Sequence, residues 1–288
     1  MKKFFKVASI VLVIAMLACF AACGNNTDTD SSVDAVKVVN IALTEEDYAF
    51  GVSKDNAELQ KQVNDFVKEI KENGTLESII NKYYDNGEPT AVYSAEEDTS
   101  KDQLVVATNA AFAPFEYIDG DAYYGIDMEL MKLLADKLNK ELVIKNVDFD
   151  AVCTTVDNGY ADIAAAGLTV NEDRTKFVTF SEAYFKASQM IIAKGDDTTF
   201  DACKTADDVV AILNGFDASK KFGVQTGTTG QFYVEGDEGF GFDGYKVSCT
   251  GYQNGALAVQ DLINGNIDYV VIDEAPANKI AESFNAQK

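Results

Sequence analysis

Ile267-Asp268-Tyr269-Val270-Val271-Ile272-Asp273-Glu274 is a short β-branched apolar run that stops on two carboxylates. A run of this length reads as a strand buried on both faces, the kind found inside parallel sheets. Residues 256–263 before it have helical spacing, so a helix feeds the strand. The same alternation runs from residue 104 onward. Residues 104–108 read as a strand, 126–138 as an amphipathic helix through Leu130, Leu134 and Leu138, and 142–147 as a strand. A helix through Val152 and Val156 ends at Gly159, and 162–166 is a short buried strand. Strands follow at 222–225 and 247–249. This texture predicts α/β lobes with largely parallel sheets.

Upstream, Leu59, Val63, Phe66, Val67 and Ile70 follow helical spacing from Asn56. Gly74 is placed to stop that helix and Thr75 to cap the next, which continues through Leu76, Ile79, Ile80 and Tyr83. Residues 85–103 are polar, lack periodicity and read as a linker. The 288 residues allow two lobes by size.

The first residues carry export signals. Lys2, Lys3 and Lys6 precede an apolar run over 7–20, shorter than the ~20 residues that span a bilayer and typical of a signal-peptide core. Ala21-Ala22-Cys23-Gly24 resembles the lipobox of bacterial lipoproteins, with Phe20 where Leu is usual. The expectation is a signal peptide over 1–22, lipid on Cys23, a polar tether over 23–35, and anchoring to the outer face of the membrane. The formal charge of −23 falls further once the leader lysines leave, a surface that repels nucleic acid. Histidine is absent, which removes the commonest general base and metal ligand. Cys153, Cys203 and Cys249 show no metal-ligand spacing. They are three free thiols, or one thiol with a Cys203–Cys249 disulfide.

Four features carry chemistry. Arg174 is the sole arginine among 24 basic residues. Its planar fork suits a carboxylate, the alternative being a solvated surface arginine. Phe222-Gly223-Val224-Gln225-Thr226-Gly227-Thr228-Thr229-Gly230 is a strand running into a Gly/Thr loop that opens a helix and presents amides to an anion. It lacks the lysine of a nucleotide-binding loop. Asp273 ends a buried strand at the ligand edge of an α/β sheet, where it can hold an ammonium, cap the next helix, or both. Phe112 and Phe115 flank Pro114, and Phe149 follows a strand.

Together these resemble the polar amino-acid-binding proteins of bacterial ABC importers. The matching stretches are Val106-Ala107-Thr108-Asn109-Ala110-Ala111-Phe112-Ala113-Pro114-Phe115-Glu116-Tyr117, Gly125-Ile126-Asp127-Met128-Glu129-Leu130, Asp162-Ile163-Ala164-Ala165-Ala166-Gly167-Leu168-Thr169, Arg174, Phe180-Ser181-Glu182-Ala183-Tyr184 and Gly227-Thr228-Thr229-Gly230. The resemblance implies a two-lobed periplasmic-binding-protein-like fold of type II that holds a polar or basic amino acid between its lobes. Arg174 would take the α-carboxylate, helped by amides near Thr169 and Thr229, with Thr228 also at the ligand. Asp273 would take the α-ammonium, with the Gly167 carbonyl and the Thr169 hydroxyl. Phe112 and Phe149 would sandwich the side chain, and Asn109, Glu116, Gln189 and Gln225 would read its tip. Asn109 stands where many relatives have an acid, and Gln225 where some have lysine. The implied partners are permease subunits of an importer and the membrane, with no cofactor or metal and a monomeric chain. The rival readings are an extracellular sensor, or an enzyme of the same fold using Glu116 as its acid.

The order of segments departs from that resemblance. Relatives end with a crossover strand, a hinge and two helices, and here residues 36–43, Thr44-Glu45-Glu46-Asp47-Tyr48 and 57–84 resemble those pieces at the front. The expectation is a circular permutation, the rival being a remnant of an upstream tandem copy. Hinges would lie at Thr44–Tyr48 and Tyr184–Ser188. Lobe one would be 48–183, with 85–103 joining the ancestral ends, and lobe two 189–284 plus 36–43.

Overall fold

The computed structural model describes residues 33–85 and 87–287; the expected leader, Cys23 and the tether up to residue 32 lie outside them. Two five-stranded mixed sheets organise the described chain. The sheet of lobe one runs Val178–Phe180, Gly51–Ser53, Ile163–Ala164, Gln103–Thr108, Glu141–Asn146. That of lobe two runs Val36–Val39, Gln189–Lys194, Tyr269–Asp273, Lys221–Gln225, Ser248–Tyr252. Parallel neighbours need a helical crossover. Ile126–Lys137 supplies it between Gln103–Thr108 and Glu141–Asn146, and Thr229–Glu235 between Lys221–Gln225 and Ser248–Tyr252. All five residues of Tyr269–Asp273 are buried, as an apolar run in a sheet interior requires.

The antiparallel strands of each sheet are delivered by two segments that pass from one sheet to the other. One leads from Val36–Val39 to Gly51–Ser53, the other from Val178–Phe180 to Gln189–Lys194. Midway they pair with each other, Glu46–Tyr48 against Phe185–Ala187, in the register Tyr48 to Phe185 and Glu46 to Ala187. Side chains alternate along a strand, so Glu46 and Tyr48 face inward while Asp47 is only half-buried and pairs with Lys186 at 2.6 Å.

Helix Ala57–Glu72 buries Leu59, Val63, Phe66, Val67 and Ile70, and the Asn56 side chain accepts from the Leu59 amide at 3.0 Å. The cap expected at Thr75 belongs elsewhere. Gly74 is the N-cap of Thr75–Tyr84 in a left-handed turn, φ 80°, and Asn73 Oδ1 accepts from the Thr75 amide at 2.9 Å. Two helices abutting through so short a turn leave the capping to a residue of the first helix's end. The polar stretch 85–103 is stitched to lobe one despite its lack of periodicity. Val92, 2% exposed, exchanges both backbone bonds with Tyr123 at 2.8 Å, and the Ala95 amide donates to Leu142 O. Buried Glu129 accepts from the Thr90 amide, the Tyr83 hydroxyl and Lys82. At the other end, Asn285 bonds both backbone groups of Val36. Cys153, Cys203 and Cys249 are free thiols.

Gly125, at φ 123° before helix Ile126–Lys137, lies so close to the next layer that a Cβ would sit 2.1 Å from the Phe115 carbonyl oxygen. Gly120 has φ 63° and open space around it. Gly125→Ala should therefore destabilise by more than about 2 kcal/mol in urea unfolding, and Gly120→Ala by about 1 kcal/mol from backbone strain alone. Equal losses would show that the close approach does not matter.

Candidate functional site

The strand ends and loops of both lobes converge beside the paired crossovers, where most of the buried polar side chains lie. Arg174 follows the loop after Ile163–Ala164 and is 8% exposed. Asn171 Oδ1 fixes its backbone by accepting from the Arg174 amide at 2.6 Å. Its guanidinium donates through Nη1 to Thr169 O at 2.7 Å in lobe one, and through Nη2 to Gly227 O at 3.1 Å in lobe two. Of its five N–H donors about three stay uncommitted to these carbonyls. The Phe149 ring lies 5.2 Å from the guanidinium carbon, so this aromatic, expected as a wall for a side chain, covers the arginine. Phe240 approaches the same group at 5.8 Å. The solvated alternative for Arg174 is thereby excluded.

Asp273 ends its strand and occupies the N-cap position of Glu274–Asn285, but its side chain makes no capping bond. It accepts instead from the Tyr48 hydroxyl on the crossover. Glu46, two residues earlier on the same face, accepts from Thr169 Oγ1 at 2.6 Å in lobe one, Gln189 Nε2 at 2.9 Å in lobe two and Thr44 Oγ1 at 2.6 Å. Thr44 also accepts from the Gln189 amide at 2.8 Å, and Gln189 lies opposite Asp273 in the sheet. Ser188 Oγ lies 3.4 Å from the Glu274 carboxylate, and Tyr184 donates to Asp127 at 2.6 Å.

At the other side of the cleft, Gln225 Nε2 donates across it to Asn109 Oδ1 at 2.9 Å, and Asn109 Nδ2 donates to Val147 O at 2.7 Å. Thr228 caps the helix Thr229–Glu235 and donates to Gln225 O at 2.7 Å; Thr229 is buried beside it. Phe112 packs against Phe115 and against the bare Cα of Gly167, where a Cβ would come within 2.9 Å of the ring. Gly167, φ 52°, donates its amide to Asp127 at 3.0 Å. Glu116 is fully buried and neither carboxyl oxygen has a donor; Gln189 Oε1 and Gln225 Oε1 are likewise buried without one. With Arg174 to Gly227 and Asn109 to Gln225 both bonded, the lobes are closed on each other. A cavity of about 190 Å³ beside Phe149 and Cys153 is lined in part by Arg174, and one of about 400 Å³ lies beside Thr44, Glu46, Thr169 and Phe240.

The electrostatics follow from burial. Desolvation raises the Asp273 carboxyl from 3.8 to about 7, the Glu46 charge adds to it, and the bonds from Tyr48 and Gln189 oppose it. Asp127 is also held at about 7 by burial, against the Tyr184 and Gly167 bonds. Burial, then Asp127 and Asp273, push Glu116 well above the ordinary range. Glu46 and Asp127 escaped the reading of the sequence as site residues. The available signal for Glu46 was the two-residue spacing to Tyr48 within a crossover strand, which places both on one face.

These raised carboxyls set a sign. An acid that binds its proton more tightly when folded stabilises the folded chain at low pH and loses that contribution as pH rises from 3.8 to about 7. Without ligand, the urea midpoint should therefore drop between about pH 5 and about pH 7.5, and Asp273→Asn should shrink the drop. A midpoint that rises over this interval would contradict the assignment.

The model of the bacterial extracellular solute-binding proteins, family 3, matches residues 104–275. A probable histidine-binding protein of Neisseria gonorrhoeae is 34% identical over 172 residues, 59% of this chain and 58% of that protein, so the match spans a little over half of that relative. Among solved structures, the ancestral amino acid-binding protein AncCDT-1, a precursor of cyclohexadienyl dehydratase, aligns with 27% identity and TM-score 0.54 over 73% of this chain and 78% of that one. Holo ArgBP from T. maritima aligns with 32% identity and TM-score 0.51 over 67% and 77%. Among the described residues no helix is long and apolar enough to cross a membrane.

Proposed function

From the fact that the chain belongs to the bacterial extracellular solute-binding proteins, family 3, we propose that it captures a polar or basic amino acid between its two lobes and delivers it to the membrane subunits of an ABC importer. One observation carries this: a buried arginine and a buried carboxylate, brought from different lobes, stand in one polar network at the crossovers. An amino acid has an end for each. Arg174 takes the α-carboxylate with its free N–H groups, and Asp273 takes the α-ammonium. Asn109 and Gln225 face the side chain, and the orphaned Gln225 Oε1 favours a ligand that brings an N–H donor there. Relatives named for histidine and arginine support the same preference. The rival enzyme reading needs a carboxyl poised on a bound molecule. Glu116, its candidate, is walled in next to Asp127 and bonds to nothing, so binding without turnover is the better reading. Opening and closing would turn on Thr44–Tyr48 and Tyr184–Ser188.

We propose further that the chain is exported and lipid-anchored at Cys23, and that its segments are circularly permuted. The family match starts at residue 104, while Val36–Val39 and Gly51–Ser53 complete the two sheets from the front. Asn285 and Val36 are hydrogen-bonded neighbours, so a cut there and a joint over 85–103 need little rearrangement. The tether then enters through a strand of lobe two.

In a thermal-shift panel of the twenty common amino acids plus cystine, arginine, histidine or glutamine should give the largest shift, since a ligand at about 100 times its Kd adds about 2.7 kcal/mol. Arg174→Ala should abolish the shift; preference for aliphatic amino acids, or binding by Arg174→Ala, would overturn the site assignment. A rearranged chain, 87–287 joined by a short Gly/Ser bridge to 34–85, keeps the contacts of Thr90, Val92 and Ala95 and should fold and give the same ranking. Failure to fold would count against the permutation while leaving the binding assignment intact.

A further inference from the structure

We infer that Glu46 shares the ligand's α-ammonium with Asp273, so that two carboxylates, one from the crossover and one from lobe two, hold a single cation. This rests on the amino-acid reading above.

The two acids sit in one buried frame, 7% and 5% exposed. Tyr48 donates to Asp273 from two residues beyond Glu46 on the same strand face. Gln189 donates to Glu46 from the position opposite Asp273 in the sheet. The groups facing Asp273 are therefore Glu46 and Tyr48 from the crossover, Gln189 from the adjacent strand and Arg174 from lobe one, with Glu116, Asp127 and Tyr184 packed beneath. Arg174 is the sole cation among them, and two of its N–H groups are held by carbonyls. Buried like charges need a counter-cation, and buried acceptors need donors. Gln189 Oε1 adds a third acceptor without a donor beside the two carboxylates. An ammonium brings one positive charge and three N–H donors, which matches Glu46, Asp273 and Gln189 Oε1. A hydroxyl or neutral amide in that place brings no positive charge to face the two acids, and Asp273 then keeps its proton. Binding of the ammonium also draws the proton from Asp273, whose carboxyl Glu46 helps to keep protonated in the empty cleft.

The test uses the full chain and calorimetry with L-arginine and its 2-hydroxy analogue, in two buffers of different ionisation enthalpy near pH 6. If histidine or glutamine leads the thermal panel, that amino acid and its 2-hydroxy acid take their place. Glu46→Gln keeps the side-chain shape and an acceptor for Thr169. It should weaken the amino acid about tenfold or more, change the hydroxy acid less than about twofold, and release fewer protons on binding. Glu46→Asp, which keeps the charge, should retain the preference for amine over hydroxyl and guards against a folding failure in the first variant. Equal losses for both ligands with unchanged proton release would make Glu46 a positioning residue for Thr169 and Gln189 and overturn the inference. Unchanged affinity for the amino acid would overturn it too. If the native protein binds no amino acid, the proposed function itself fails and this inference with it.

Discussion

Everything at the cleft depends on the ribbon in which Glu46–Tyr48 pairs with Phe185–Ala187. Because strand side chains alternate, three residues suffice to aim a carboxylate and a phenol at the same interior point. Glu46 then ties Thr169 of lobe one to Gln189 of lobe two, and Tyr48 reaches Asp273. A segment usually regarded as a passive connection is thus built into the wall of the site. Rotation of the lobes about it must strain or break those bonds, which links the closed arrangement to the polar groups that a ligand would touch.

The second constraint is the balance of buried charge. Placing Glu46, Glu116, Asp127 and Asp273 around one arginine is costly in a medium that solvates charge poorly. The structure meets part of that cost by raising the carboxyls of Asp127 and Asp273 to about 7 and part with bonds from Tyr48, Tyr184, Thr169 and Gln189. What is left over is a set of oxygens without donors. Under the proposed function, this surplus favours a donor-rich, positively charged ligand.

Much was legible in order and texture. The strand ending at Asp273, the helix 126–137 and the helical stripe from Leu59 to Ile70 all follow from periodicity, because burial on one or both faces repeats at the period of the element. Local chemistry was less reliable. Thr75 read as a cap, yet a turn too short for it passed the task to Asn73. Residues 85–103 read as a plain linker, yet single backbone exchanges such as Val92 with Tyr123 hold them down, and such contacts leave no periodic trace.

The residues alone thus determined the α/β character, the lone arginine, the strand-end aspartate and the family resemblance, since each is written in composition or in a local period. Only the tertiary structure decided what those groups face. It turned Phe149 onto Arg174, Gln225 onto Asn109 and Asp273 away from its helix toward Tyr48, and it made Glu46 a member of the site. The physical reason is sequence distance. These partners lie tens to hundreds of residues apart, and no period or propensity within a segment encodes which distant side chain will close on it.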